Sequence, residues 1–444
     1  MICYDCIGLY SSLESWFEAN CKMGICSYCH AEEKCISKIS FFEYMKDRFF
    51  EMAIPIDELS GGEQADIYCG SDEFYVEKYN IFIEEKCETK NEDLQSDLVD
   101  FIGSQIDCVD TLFVFDDGTL VHNDYDFQWE KFIQEISYSK RFFNNEAYEF
   151  IDRLFEHIHV NGIPNADYIE VLQPETELYR ARKCNDKSAR ESIIGNPSLG
   201  LGPVPRHLST NQRMTPTGIS SLYCALDRGT CLSELRPVAG DTIISGGFSP
   251  IKELKLLVLS NIAEKSNTYV DCYHENYRDL LHRLNFIRKL TNLLSRPSIN
   301  GGSLDYLSTQ YVFEYFRIKF EENIDGVIYD SVQNKSGQNV VLFPHEFLIE
   351  NFKYDCEKEA IATEYDFSKP DFHMKPYRWY SVKLEGQLDV PDVVDDSDHP
   401  FIKPVPKFKL QFVEGSLITH KIETVKATSK DKEVEIRLSS KSEN

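Results

Sequence analysis

Apolar residues change their period along this chain near residue 165. Between about residues 39 and 160 they recur at helical spacing: Phe41, Phe42, Met45, Phe49 and Phe50, then Trp129, Phe132, Ile133 and Ile136, then Tyr148, Ile151, Leu154, Phe155 and Ile158. Side chains three, four or seven apart share one face of an α-helix, so these runs predict amphipathic helices. The acidic stretch from Glu84 to Asp100 lacks such a pattern and reads as a solvated loop or a short polar helix. After Gly162-Ile163-Pro164 the texture turns to short β-type runs broken by Gly, Pro and Asn: Glu177–Ala181, Ser221–Leu226, Thr242–Phe248, Lys255–Leu259, Gly326–Tyr329 and Asn339–Phe343. Helical stretches at roughly Cys231–Arg236, Tyr273–Leu294 and Thr309–Phe320 fall between them, which predicts an α+β unit with mixed strand directions.

The expected plan is multidomain, as a length of 444 residues already argues. A small cysteine-rich module occupies 1–38, a helical domain 39–164, and the α+β domain 165–375. A C-terminal segment, 376–444, carries strands at Lys407–Phe412 and Leu417–Lys426 and a charged, frayed end. No internal repeat is visible.

Hydrophobic residues at 42% are enough for sizeable cores, so wholesale disorder is excluded. The formal net charge of −27, from 74 acidic against 47 basic side chains, repels phosphate backbones and makes nucleic acid a poor default partner. No run approaches the roughly 18 apolar residues that span a bilayer, and Met1 to Cys6 lack the character of a signal peptide. The expected location is the cytoplasm, with no membrane association.

In that compartment the 14 cysteines argue for metal binding or buried thiols rather than disulfides. Cys3-Tyr4-Asp5-Cys6 and Cys26-Ser27-Tyr28-Cys29 form two C-x-x-C pairs separated by 19 residues. Two thiolates three positions apart can chelate one ion from a tight turn, and two such turns complete a tetrahedral S₄ shell suited to Zn²⁺. Cys21, His30 and Cys35 are nearby spares. Four protein ligands leave no open position for water, so the expected site is structural.

The second half concentrates polar residues at strand ends: Tyr179-Arg180, Arg213-Met214-Thr215-Pro216-Thr217-Gly218, Tyr223, Glu234 and Asp330-Ser331. The run from Arg213 to Pro237, with Leu-Tyr-x-Ala and Leu-x-Glu-Leu-Arg-Pro, resembles the signature of RES domains. So does the pairing of Gly326-Val327-Ile328-Tyr329-Asp330-Ser331 with Asn339-Val340-Val341-Leu342-Phe343. The front half resembles the HEPN-like region often joined to such domains, in its leading C-x-x-C pairs and its Trp129–Arg141–Phe142–Phe143 helix. The resemblance spans about residues 1 to 355. It implies a fold related to ADP-ribosyltransferases and a toxin-like enzyme of bacterial toxin-antitoxin systems that destroys NAD⁺ by cleaving the nicotinamide–ribose bond, with water or phosphate as acceptor. The family's Arg, Tyr, Glu and Ser match Arg213, Tyr223, Glu234 and Ser331, and its early Tyr-Arg matches Tyr179 and Arg180. Gln212 and Thr215 stand where the family commonly has Gly and Asn.

The residue types suit that chemistry. Nicotinamide leaves as a neutral molecule, so the barrier lies in forming an oxocarbenium-like ribose, which one placed carboxylate stabilises; Glu234 is the candidate. Guanidinium forks hold a pyrophosphate through paired hydrogen bonds, a role for Arg180 and Arg213. Tyr223 offers a flat face to nicotinamide, and the Ser331 hydroxyl can bond the carboxamide or a ribose hydroxyl. No G-x-G-x-x-G turn occurs, and Gly200-Leu201-Gly202-Pro203 does not replace it, so NAD⁺ is expected as substrate rather than recycled cofactor.

Two other readings use the same residues. A HEPN-type ribonuclease would draw on Arg153 and His159, with His157 between them, but residues six apart on a helix do not share a face. A non-catalytic, zinc-dependent interaction protein would keep the second half as scaffold. A toxin also needs restraint, from an antitoxin partner or from its own N-terminal half.

Overall fold

The computed structural model describes residues 1–8, 11–70, 74–108, 110–120, 124–265, 274, 276–295, 304, 306–320, 322–344, 348–350, 359–364, 378–383 and 408–425. The expected frayed C-terminal end lies outside these residues. Two compact units form, and they do not follow one another simply along the chain. The first takes 1–170, 211–216 and 257–323; the second takes 171–210, 217–256 and 324–444.

The first unit is mainly helical. Lys38–Met52 buries Phe41, Phe42, Met45, Phe49 and Met52 along one stripe, as the spacing predicts. Asp124–Tyr138 and Asn145–Leu154 account for the next two apolar runs. Phe155 and Ile158 stay buried but fall past the helix end, Ile158 in a 3₁₀ turn. Tyr277–Ser295 and Leu307–Phe320 pack in the same unit. The Tyr125 hydroxyl donates to Asp279 at 2.7 Å, the Tyr315 hydroxyl to Asp152 at 2.8 Å, and His282 Nε2 meets the buried Asp116 carboxylate at 2.7 Å. Helical stretches read from the second half therefore complete the core of the first unit.

Three local expectations are corrected. Of the two alternatives for Glu84–Asp100 the helix holds, but it is docked rather than solvated: Glu92–Gly103 is capped by Asn91, and its Leu94, Leu98 and Ile102, each four apart, are fully buried beneath the acidic face. A small antiparallel sheet, Ala53–Pro55 with Leu112–Phe115 and Val76–Lys78, interrupts the helical run. The helix through Trp129 stops at Tyr138; Arg141, Phe142 and Phe143 form an exposed turn, with Phe143 in the left-handed region at φ 55°.

The second unit is built on a mixed sheet. Its elements are β1 (Leu178–Lys183), β2 (Leu222–Ala225), α1 (Arg228–Glu234), β3 (Thr242–Pro250), β4 (Leu254–Val258), β5 (Gly326–Asp330), β6 (Gln338–Leu342), β7 (Leu348–Glu350), β8 (Phe408–Phe412) and β9 (Ile418–Lys421). The strand order is β7-β8-β3-β1-β2-β6-β5-β4, with the strand Ile169–Leu172 next beyond β4 and β9 also on β3. The β7–β8 pair is parallel, while β1, β2, β3, β5, β6, β8 and β9 pair antiparallel where they meet. β3 is buried at every position, as a central strand should be. Gly246 is required there, because a Cβ would come within 2.7 Å of the Phe412 ring. All six strands read from the apolar runs of the second half are present. α1 begins three residues earlier than expected, because the Asp227 carboxylate caps it by accepting from Thr230 N at 2.8 Å.

Candidate functional site

Cross-strand partners share one face of a sheet, and alternate residues along a strand do too. Tyr179 pairs with Gly247 on one side and Ala225 on the other, Ala225 pairs with Asn339, and Asn339 with Tyr329. Tyr179, Tyr223, Asn339 and Tyr329 therefore line one face. α1 packs on that face, its Cys231 and Leu232 against Ala181, Ala225 and Ile243.

α1 ends at Glu234 because Arg236 turns left-handed, at φ 45°, just before Pro237. This places a half-buried carboxylate at the end of β5 and the start of β6. Ser331 Oγ donates to Glu234 Oε1 at 2.6 Å, and Asn339 Nδ2 donates to the same oxygen at 2.7 Å. Both donors are nearly inaccessible, Ser331 at 5% and Asn339 at 4% exposure. Ser331 Oγ also accepts from the backbone N–H groups of Gln333 and Asn334, at 3.2 and 3.1 Å. Its proton and both lone pairs are thus committed, and the hydroxyl is aimed at Glu234. Among the described residues Oε2 accepts no hydrogen bond, so the carboxylate is gripped by one oxygen and offers the other.

The loop after β5 is held as firmly. Asn334 Nδ2 donates to Thr230 Oγ1 at 2.7 Å, and Thr230 Oγ1 donates to Asp227. Gly337 lies against Thr230 so closely that a Cβ would sit 1.8 Å from Oγ1. Loop and helix form one locked piece with Glu234 at its edge.

Of the residues singled out in the sequence, Glu234 and Ser331 are brought into contact, and Tyr179 and Tyr223 share their face. Arg180 lies on the opposite face by strand alternation, is 9% exposed, and donates through Nη1 to the Tyr223 carbonyl at 3.1 Å. Burial pushes its guanidinium below the usual range. Arg213 belongs to the other compact unit, where its carbonyl accepts from Thr309 Oγ1. Asn339, Thr230 and Asn334 were not anticipated. The available signal was a lone amide heading the apolar run Asn-Val-Val-Leu-Phe, a poor place for an unpartnered polar group.

The four predicted thiols come together in the first unit. Cys3, Cys6, Cys26 and Cys29 have their sulfurs all within 4.8 Å of one another, with Cys3 and Cys29 3.5 Å apart and Cys6 and Cys26 3.8 Å apart. Four sulfurs at about 2.3 Å from one tetrahedral ion would stand about 3.8 Å apart, so the cluster has the size of a metal shell. Burial pushes Cys3 and Cys6 up, Cys6 to about 12. Cys26 is held down at about 6 against the effect of burial, because the backbone amides of Cys29, Tyr28 and Cys3 point at its sulfur. Cys21 and Cys35 lie outside the cluster.

Arg153 and His159 do not share a helix. Arg153 ends the helix Asn145–Leu154 and bonds Gln128, whereas His159 begins a short strand. Burial, reinforced by Arg283, pushes His157 down to about 4. Among the described residues no helix is long and apolar enough to cross a membrane.

No curated protein and no solved structure matches the chain. Two family models do: the HEPN/RES N-terminal domain 1 over residues 19–149, and the RES domain over residues 177–361. The second match contains Tyr179, Tyr223, Glu234, Ser331 and Asn339, so the locked carboxylate lies within the RES domain. The chain is a RES-domain protein with a HEPN/RES-type N-terminal region.

Proposed function

We propose that this protein degrades NAD⁺ by breaking the bond between ribose C1′ and the nicotinamide nitrogen. The observation that carries the reading is the Glu234 carboxylate, fixed through Oε1 and open at Oε2, within a RES domain. The bonding pair leaves with nicotinamide, which departs neutral, and the positive charge left on C1′ and the ring oxygen is met by Oε2. Water or phosphate then adds to C1′, giving ADP-ribose or its 1-phosphate. A preorganised carboxylate needs no reorientation as this charge develops, which is where such groups are most effective.

Tyr223 offers its ring to nicotinamide, and Tyr179 lies on the same sheet face. Of the motif's guanidiniums, Arg180 is buried behind the sheet and would act by fixing the β1–β2 pair rather than by touching the dinucleotide. Ser331 acts by holding Glu234. The RES unit would be related in fold to ADP-ribosyltransferases. The four-cysteine cluster would hold a structural Zn²⁺ that braces the first unit. A toxin-like role in the cytoplasm follows from this activity, with an antitoxin or the N-terminal half as restraint.

The test is NAD⁺ loss and nicotinamide release by the purified full chain, wild type beside Glu234→Ala, with and without phosphate. Turnover that vanishes in the variant supports the reading, and phosphate dependence names the acceptor. Turnover that persists in the variant overturns it.

A further inference from the structure

In a chain of net charge −27, a desolvated guanidinium normally finds a carboxylate. Arg228 does not. Its Nη1 donates to Ser245 Oγ, its Nη2 donates to the Ser416 carbonyl at 2.9 Å, and the group lies 4.6 Å over the Tyr179 ring. All three partners are neutral, and among the described residues no carboxylate lies within ion-pair distance. Asp227, its chain neighbour, is taken up by Thr230, and Glu177 engages the Tyr179 hydroxyl. His420 bonds Ser245 Oγ through Nε2 at 2.7 Å and, pushed down by burial to about 4, is neutral near pH 7.

The contacts fix the fork without neutralising it. Ser245 pairs with Ala181 in register, so it shares the face of Tyr179, Tyr223 and Asn339. Arg182 is also held without a carboxylate, donating to the Gly200 and Gly202 carbonyls at 2.6 and 2.9 Å, but strand alternation puts it behind the sheet with Arg180. Arg228 is half-buried rather than enclosed, and it opens the helix that Glu234 closes. Six residues of helix advance about 9 Å, a span of the order of a ribose 5-phosphate.

We propose that Arg228 is a substrate-binding residue that takes the pyrophosphate of the dinucleotide while Glu234, at the other end of the same helix, faces the nicotinamide ribose. This rests on the NAD⁺ reading above. An arginine already stacked on an aromatic ring and tethered by two neutral bonds loses little freedom when the anion arrives. Its remaining N–H donors suit two parallel bonds to phosphate oxygens, which an ammonium cannot reproduce.

The test is calorimetric titration of the full chain with inorganic pyrophosphate and with ADP-ribose, using wild type, Arg228→Gln, Arg228→Lys and Glu234→Ala, each checked for folding by thermal unfolding. The expected result is that Arg228→Gln weakens both ligands about 10- to 100-fold, as loss of a charge-assisted pair should. Arg228→Lys should recover only part of this, and Glu234→Ala, which alters only the ribose end, should keep wild-type affinity for inorganic pyrophosphate. Wild-type affinity in Arg228→Gln overturns the assignment while leaving NAD⁺ cleavage untouched. Should Arg228→Gln not fold, wild-type affinity in Arg228→Lys overturns it equally. Absence of wild-type binding also overturns it, and NAD⁺ cleavage measured in parallel then decides whether the broader reading falls with it.

Discussion

Ser331 and Asn339 both donate to one oxygen of Glu234, at 2.6 and 2.7 Å, and this shared acceptor makes a double-mutant cycle informative. A hydrogen bond to a charged group contributes about 1.5–3 kcal/mol, so Ser331→Ala or Asn339→Ala alone should lower kcat about 10- to 100-fold. Once either donor is gone the carboxylate can turn about its last torsion, and the other donor then holds it less well. The double variant should therefore lose less than the product of the two single losses, with a coupling of about 0.5–3 kcal/mol. Stability separates the two variants. Ser331→Ala also removes the acceptor of the Gln333 and Asn334 N–H groups, adding about 0.5–1.5 kcal/mol of destabilisation that Asn339→Ala does not carry. Steady-state NAD⁺ cleavage for the four species, beside urea unfolding, measures both quantities. Multiplicative losses in kcat would show that the donors act independently and would refute the one-oxygen grip.

Removing the metal should unfold the cysteine cluster first. Zinc sites in small domains contribute on the order of 10 kcal/mol at neutral pH, so a strong chelator or Cys26→Ser should lower the first thermal transition, and metal analysis of the reduced protein should find one ion per chain; no bound metal and an unmoved transition would contradict this. Gly337→Ala must displace Thr230, because the new Cβ would stand 1.8 Å from Oγ1. It should destabilise by about 1–3 kcal/mol and reduce turnover together, whereas wild-type turnover would show the loop is not coupled to Glu234. His420 titrates at about 4 in the fold against 6.5 when exposed, since burial and then Arg228 disfavour its charged form. Its stabilisation is present above pH 6.5 and is lost as pH falls towards 4, on the order of 1 kcal/mol once solvent screening is discounted, and His420→Gln should flatten unfolding free energy against pH across that window. Phe143, fully exposed at φ 55°, sits where L residues are strained, so Phe143→Asn should raise stability by about 1 kcal/mol, read from the urea midpoint.

The strands of the second unit were readable because β-type runs such as Asn339–Phe343 are apolar, short and fenced by Gly, Pro and Asn, and central strands are defined by those features. The cysteine pairs were readable because chelation imposes its own spacing. The docked face of Glu92–Gly103 was hidden by composition: one buried leucine or isoleucine every fourth residue is enough to dock a helix, and five acidic or amide neighbours mask it. The allocation of Tyr277–Ser295 and Leu307–Phe320 to the first unit was not readable at all, because contacts such as Tyr125 with Asp279 join residues far apart in sequence, and no local pattern encodes a partner.

The same limit explains what was seen and missed around Glu234. The motif supplies residue types in order along the chain, and it brought Glu234 and Ser331 forward together. What a motif cannot supply is the face. Tyr179 and Arg180 are neighbours in sequence, yet a strand sends them to opposite sides, so the guanidinium beside the tyrosine ring comes instead from Arg228, on a helix laid across the sheet. Asn339 was missed for the complementary reason: its amide matters only because β6 lies next to β2, which sets it under the end of α1. Chemistry was legible wherever one residue type sufficed to suggest it, and illegible wherever it depended on which strand lies beside which.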